Sequence, residues 1–350
     1  MSDRVLSARE LNRALLARQL LLERSRLPLP VALEQVAGLQ TQYAPSGYIG
    51  LWSRLEGFRR TNLSDALVDR SAVQATLMRS TIHVVSAADF WPFADGTRPA
   101  RTAWWLRATR AALDGVDMEA VVAHVRELLA DGPLRHEEIV ASLDARGTPR
   151  AAWNGVGQML DLVRVPPSGT WERRRANLYG LAVDWLGPST SSEAEGLVHL
   201  VRRYLGGFGP ATRNDVASWA GVSVGSLRPA LEALDLRRFR DEQGRELIDL
   251  PDAPLPDPGT PAPVRFIGTW DANLLVHARR TGILPEAYRP RIFATTMPHS
   301  FPTFLVDGAV AGTWRFEEGR VTLEPFEPLR AAVRRELEDE ADRLAAFHAA

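Results

Sequence analysis

The chain has 350 residues, 45% hydrophobic and 24% charged, a globular composition with room for two or three domains. It contains no cysteine and no lysine, so all 42 basic residues are arginine. That excludes disulfides, thiolate nucleophiles, cysteine-based zinc or iron–sulfur sites, a P-loop lysine, a Schiff-base lysine and a lysine β-lyase. The net charge of −1 offers no overall basic excess, so any hold on nucleic acid has to come from local arginine clusters. Such clusters occur at Arg59-Arg60, Arg98/Arg101/Arg107/Arg110, Arg173-Arg174-Arg175, Arg202-Arg203, Arg237-Arg238-Arg240 and Arg289/Arg291, each of which also fits an ordinary solvated face.

No apolar run reaches the roughly 18–20 residues of a membrane helix. The polar start Met1-Ser2-Asp3-Arg4 lacks a signal-peptide pattern, so a cytoplasmic, soluble protein is expected. Ser7 as cap and Glu10 as its capping-box partner open a first helix with Leu11, Leu15 and Leu22 on its apolar stripe. Pro30 opens a second helix, Val31 to about Leu39, and Ser64 begins a short one. Ala75 to Val85 reads as a strand pair, followed by a helix holding Trp104 and Trp105.

A second unit begins near Asp117. It has helices at Met118–Ala130, His136–Leu143 and Trp153–Val163, then an alternating stretch from Trp171 to Trp185. A third begins near Ser191, with helices at Ala194–Leu205, Arg213–Ala220 and Gly225–Leu234. Strand-like runs from Leu236 to Leu250 then turn at Gln243-Gly244. The segment from Gly132-Pro133 to Leu143 resembles that from Gly209-Pro210 to Trp219, and both units read helix, Gly-Pro, short helix, longer helix, hairpin. That is a helix-turn-helix followed by a wing. A looser first copy fits the N-terminal helices.

Pro251 to Pro263 is a linker. Beyond it lie strand-like runs at Val264–Trp270, Leu274–Ala278, Arg291–Thr296 and Thr303–Leu323, with Asp307-Gly308 as a two-residue hairpin turn. A last helix spans Leu329 to about Phe347. The expected fold class is α+β, with tandem winged-helix units at 1–115, 116–188 and 189–251 and a β-rich domain at 264–350.

The seven histidines show no metal-ligand spacing, so no metal is expected, and neither a nucleophile elbow nor a dinucleotide fingerprint occurs, so no cofactor is expected. The unusual element is Leu39-Gln40-Thr41-Gln42-Tyr43-Ala44-Pro45. Two glutamines one residue apart can face one side of an extended segment and hold a single water. Taken alone, the pair fits better as Gln40 capping a helix end beside a solvent-facing Gln42.

This stretch, with Met78-Arg79-Ser80-Thr81-Ile82-His83 and Pro302-Thr303-Phe304-Leu305-Val306-Asp307-Gly308, resembles the AlkZ/YcaQ family of winged-helix DNA glycosylases over essentially the whole chain. The resemblance implies tandem winged helices and a β-domain forming a C-shaped DNA clamp. It implies a Gln-Φ-Gln active site at Gln40 and Gln42, with Thr41 in place of an apolar Φ. It implies a hairpin at Asp307-Gly308 that reaches DNA, and Arg79, His83 and Arg315 as further DNA-facing residues. The implied activity is monofunctional release of cationic N7- or N3-alkylated purines from double-stranded DNA by a monomer, extending to interstrand crosslinks and bulky adducts. The alternative is a non-catalytic winged-helix DNA-binding regulator.

Overall fold

The computed structural model describes residues 4–294 and 299–350. β1 (Val5–Leu6) leads into α1 (Ala8–Arg18). The expected capping box is present: Ser7 Oγ accepts from the Glu10 N–H at 3.2 Å and Glu10 Oε2 accepts from the Ser7 N–H at 2.8 Å. α2 (Leu29–Gln35) stops short of Leu39, because Ala37 and Gly38 turn left-handed at φ +61° and +75°. The chain then forms β2 (Leu39–Gln40), α3 (Ala44–Arg54), α4 (Arg60–Val68), β3 (Ala72–Thr76), β4 (Ile82–Ser86) and α5 (Ala87–Ala108). α4 starts at Arg60, ahead of Ser64, because Asn62 Oδ1 accepts the Arg59 N–H at 2.8 Å and caps the earlier turn.

α6 (Met118–Leu128), β5 (Leu134–Arg135), α7 (His136–Ala145) and α8 (Arg150–Met159) follow, then β6 (Leu162–Arg164), β7 (Leu178–Leu181) and the short α9 (Ala182–Leu186). α8 does not run on to Val163. Leu160 is extended, and Val163 pairs with Ala75 of β3, so the apolar run ends in a sheet. Of the stretch from Trp171 to Trp185, only Leu178–Leu181 is strand; the segment before it is an irregular loop.

α10 (Glu193–Phe208), α11 (Arg213–Ala220), α12 (Val224–Glu232), β8 (Arg237–Asp241) and β9 (Glu246–Asp249) repeat the order helix, short helix, helix, β-pair. The last part holds β10 (Arg265–Ile267), α13 (Arg289–Ile292), β11 (Phe293–Ala294) and β12 (His299–Ser300). It ends with β13 (Thr303–Val306), β14 (Ala309–Glu317), β15 (Arg320–Pro325) and α14 (Ala331–Ala349). The expected strand at Leu274–Ala278 is instead 3₁₀ turns at Ala272–Leu274 and Val276–Thr281. The Asp271 side chain starts them by accepting the Asn273 N–H at 3.0 Å. The end of the expected Arg291–Thr296 strand, like Met1 to Asp3, lies outside the described residues.

One antiparallel sheet runs β2-β4-β3-β6-β7-β5 and joins the first two stretches. A second runs β10-β13-β14-β15, and β1 adds in parallel to the β8–β9 hairpin. The first and third stretches meet where α5 crosses α10 at a glycine pair. A Cβ on Gly196 would lie 2.5 Å from the Pro92 carbonyl oxygen and 2.6 Å from the Gly96 nitrogen, so the two backbones touch. α1 is locked to β9 by an ion pair without solvent exposure. Arg18 donates to both Asp249 oxygens, at 2.6 and 2.9 Å, and Arg237 donates to the same carboxylate at 2.7 Å.

α5 also packs on α8, where Trp105 lies against Gly155. A Cβ there would overlap the Trp105 ring. Glycine to alanine in a helix ordinarily stabilises by about 1 kcal/mol. At Gly155 the overpacking term dominates, so Gly155→Ala should destabilise by about 1–3 kcal/mol, read as a lower urea midpoint. A raised midpoint would show that Trp105 moves freely aside.

Candidate active site

The Gln40–Gln42 segment sits at the edge of the six-stranded sheet. Gly38 allows the chain to enter it: a Cβ there would lie 2.8 Å from Val85 Cγ1, and the backbone is left-handed. β2 then pairs with β4, Leu39 opposite Val84 and Gln40 opposite His83, and the Thr41 N–H donates to the Ile82 carbonyl at 2.7 Å. Proline at the second position of α3 ends the extended stretch.

The strand ends at Gln40, so burial does not alternate along the residues that follow. Gln40 is buried and Gln42 is exposed. Thr41 is also buried. Its hydroxyl accepts from Gln74 Nε2 at 3.3 Å, and its methyl faces Gly47, where a Cβ would be 2.6 Å away. A threonine fills an apolar slot here because its hydroxyl has a partner. The Gln40 carbonyl oxygen accepts from Arg79 Nη2 at 2.8 Å, and the Gln42 carbonyl oxygen accepts from the Ile82 N–H at 3.2 Å. Each amide oxygen keeps a second lone pair, and each amide nitrogen keeps hydrogens to donate.

Arg79 comes from the turn between β3 and β4. Its backbone is left-handed at φ +54°, with Ser80 at +58°. Gly221 packs directly on that backbone, where a Cβ would be 3.0 Å from the Arg79 nitrogen. The second arm of the guanidinium donates to the Trp219 carbonyl. Burial pushes its pKa down to about 10, so it stays charged at neutral pH. His83 is 2% exposed. Its Nδ1 is 3.0 Å from the Thr81 carbonyl, which fixes Nδ1 as the donor, and its Nε2 is buried with no hydrogen-bond partner. Burial, and secondarily the Arg79 charge, lowers its pKa to about 3, so the ring is neutral.

Gln40, Gln42, Arg79 and His83 are therefore one cluster, but Arg79 is turned toward Gln40 and His83 has almost no surface to offer DNA. Arg315, 53% exposed, bonds Glu324 at 2.5 Å and lines an adjoining cavity of about 310 Å³ with Tyr43, Trp171, Arg174 and His348. The Asp307-Gly308 turn is formed as expected, with φ +46° and +82°, but it is docked on α1. Arg9 donates to Asp307 at 2.9 Å, Arg13 also bonds its carboxylate, and Asn12 Nδ2 donates to the Gly308 carbonyl at 2.9 Å. A Cβ on Gly308 would lie 2.5 Å from Asn12 Oδ1, so the tip fits tightly against the helix and does not project. Sequence reasoning named Tyr43 only as part of the motif and Arg173–Arg175 only as a charge cluster. No local pattern marked Arg79 as the partner of Gln40.

This site lies on a scaffold of a known class. A family model for AlkZ-like DNA glycosylases matches residues 33–347, and the chain belongs to that family: it is a DNA glycosylase, a hydrolase of N-glycosyl bonds whose substrate is DNA. The fold is similar to that of Streptomyces sahachiroi DNA glycosylase AlkZ, with TM-score 0.81 and 20% sequence identity over 99% of this chain and 97% of that one. No curated protein sequence matches.

The depressed pKa of His83 has a consequence for stability. The unfolded state binds a proton near the ordinary histidine value of 6.5, whereas the folded state resists protonation down to about pH 3. Its destabilising effect therefore begins as pH falls below about 6.5 and is complete near about 3, with none above. His83→Phe should lose less stability than the unaltered protein between about pH 7 and about pH 5, measured by urea unfolding. Parallel losses would place the pH sensitivity in other groups, among them His277, also held well below 6.5 by burial.

Proposed function

We propose that the chain is a monofunctional glycosylase for cationic N7- and N3-alkylated purines in double-stranded DNA, with Gln40 and Gln42 holding the attacking water. The reading includes a monomeric C-shaped clamp of tandem winged-helix units closed by the C-terminal β-domain. The twice-repeated order of helix, short helix, helix and β-pair supports the winged-helix assignment. The observation that carries the catalytic reading is the pair of neutral amides on one sheet edge, each oxygen already oriented by a fixed donor.

The chemistry suits such a pair. An alkylated N7 or N3 makes the base cationic, so the C1′–N9 (or corresponding glycosidic) bond breaks with its electrons passing to the ring and the base leaving neutral. Nothing has to protonate it. Positive charge grows at C1′, water adds there, and the water proton passes to solvent, since an amide is not a competent base. The products are the free alkylpurine and an intact abasic site. A purine alkylated at both ends of an interstrand crosslink carries the same cationic ring, so unhooking needs no further chemistry.

Gln40→Ala and Gln42→Ala should each slow single-turnover release of 7-methylguanine, by about 10²-fold and up to about 10³-fold in the double variant. DNA affinity should barely change, because phosphate contacts dominate it. Near-normal release by the double variant would remove the pair from the mechanism. With no lysine in the chain, borohydride should trap no covalent enzyme–DNA adduct during turnover. A strong adduct would implicate the N-terminal amine and defeat the monofunctional assignment.

A further inference from the structure

Arg173, Arg174 and Arg175 lie in the loop between β6 and β7, and all three side chains are exposed. The loop backbone is held from inside. The Gly169 N–H donates to the carbonyls of Arg173 and Arg175 at 2.8 and 3.2 Å. Ser168 Oγ donates to the Arg175 carbonyl at 2.9 Å and accepts the N–H groups of Asn177 and Leu178 at 2.7 and 3.0 Å. With the carbonyls turned inward, the guanidinium groups project outward. Arg135, at the end of β5, joins them around a cavity of about 340 Å³.

This face abuts the active-site segment. Arg174 Nη1 donates to the Tyr43 hydroxyl at 2.8 Å, and Tyr43 directly follows Gln42. Arg60 lies over the Trp171 ring at 5.0 Å, and Arg174 reaches the same ring at 5.9 Å. Two cations thus flank one indole. Their field is felt nearby: burial, then Arg174 and Arg60, lowers the pKa of His348 to about 4.

Four of the other arginine clusters each hold at least one arginine in an ion pair. Arg98 meets Asp95 and Asp161, Arg203 meets Glu34 and Asp89, and Arg237 meets Asp249; Arg238 meets Glu246 and Arg289 meets Glu286. Among the described residues, Arg60, Arg135 and Arg173–Arg175 form no ion pair, and Glu172 within the loop engages none of them. A chain of net charge −1 thus keeps Arg135 and Arg173–Arg175 around a cavity without ion pairs, with Arg60 over the neighbouring Trp171 ring.

We propose that Arg60, Arg135 and Arg173–Arg175 form a binding site for the phosphodiester backbone of DNA flanking the nucleotide that faces Gln42. The position of the flanked nucleotide rests on the catalytic reading; the phosphate site does not. Guanidinium forks match phosphate oxygens in geometry and charge. No existing ion pair has to break for a phosphate to bind, and the pinned loop leaves little backbone to order.

The test is the salt dependence of binding to undamaged duplex DNA, read by fluorescence anisotropy. The triple variant Arg173→Gln, Arg174→Gln, Arg175→Gln should reduce the slope of log affinity against log salt by about 2–3, roughly 0.9 for each phosphate no longer neutralised. A control triple, Arg228→Gln, Arg238→Gln, Arg279→Gln, removes equal charge from paired, exposed arginines and should leave the slope nearly unchanged. An unchanged slope in the first variant, or equal changes in both, overturns the proposal. Should the triple variant unfold, Arg173→Gln and Arg175→Gln singly carry the same test, at about one unit of slope each. If the slope falls but the unaltered protein releases no 7-methylguanine, the catalytic reading fails while this site stands. Release with an unchanged slope means the reverse.

Discussion

The register that sets Gln40 opposite His83 is the constraint on which the candidate active site depends. β2 has two residues and lies at the sheet edge, so little pairing energy fixes it. A slip of one residue would turn each side chain of the strand to the opposite face and take Gln40 out of its buried position. Several contacts oppose that slip. Gly38 enters the strand in a conformation other residues resist, the Thr41 N–H is bonded to Ile82, and the Thr41 side chain fits between Gly47 and Gln74. The turn joining β3 to β4 carries Arg79, so one hairpin supplies both the strand that sets the register and the guanidinium that holds Gln40.

Arginine has two separate uses in this lysine-free chain. Arg18, Arg54 and Arg13 are buried braces that join distant segments through Asp249, Asp271 and Asp307. Breaking either fully buried pair, Arg18–Asp249 or Arg54–Asp271, costs about 3–5 kcal/mol because the remaining charge is stranded, whereas Asp307 is half exposed and its pair with Arg13 is worth less. The planar fork explains why arginine suits the role: Arg18 reaches both Asp249 oxygens and the carbonyls of Leu205 and Pro254 at once. The arginines of the β6–β7 loop have no such partner. A net charge near zero therefore hides an uneven distribution of paired and unpaired arginines, and the total alone misjudges what the surface can bind.

What the sequence discloses follows from how local each signal is. The Ser7–Glu10 box, the Asp307-Gly308 turn and the repeated helical order depend on neighbours within a few residues, and they appear where expected. Gln40 and Gln42 are legible as a pair from their spacing and from family resemblance. The contacts that decide their orientation are not. Arg79 meets the Trp219 carbonyl 140 residues away, and Gly308 meets Asn12 296 residues away, separations at which no periodicity carries information. Leu162 and Val163 read as the end of a helix by themselves and become strand because β3 offers an open edge to pair with.

The two amides also determine where protons can go. Arg79 is donor-only, so the end of Gln40 facing it must be the carbonyl oxygen; the Ile82 N–H sets Gln42 the same way. Neither group changes charge near neutral pH, and neither does His83, whose ring is neutral well into the acid range. A site built from these residues can orient a water and polarise it, but it holds no group among them that accepts its proton at neutral pH. On the proposed reading the proton leaves through solvent, and Gln42, exposed where Gln40 is buried, is the side on which water can reach. Such a site suits leaving groups that depart without acid assistance, so the proposed preference for cationic bases rests on the absence of a titrating residue among them and not on the shape of a pocket.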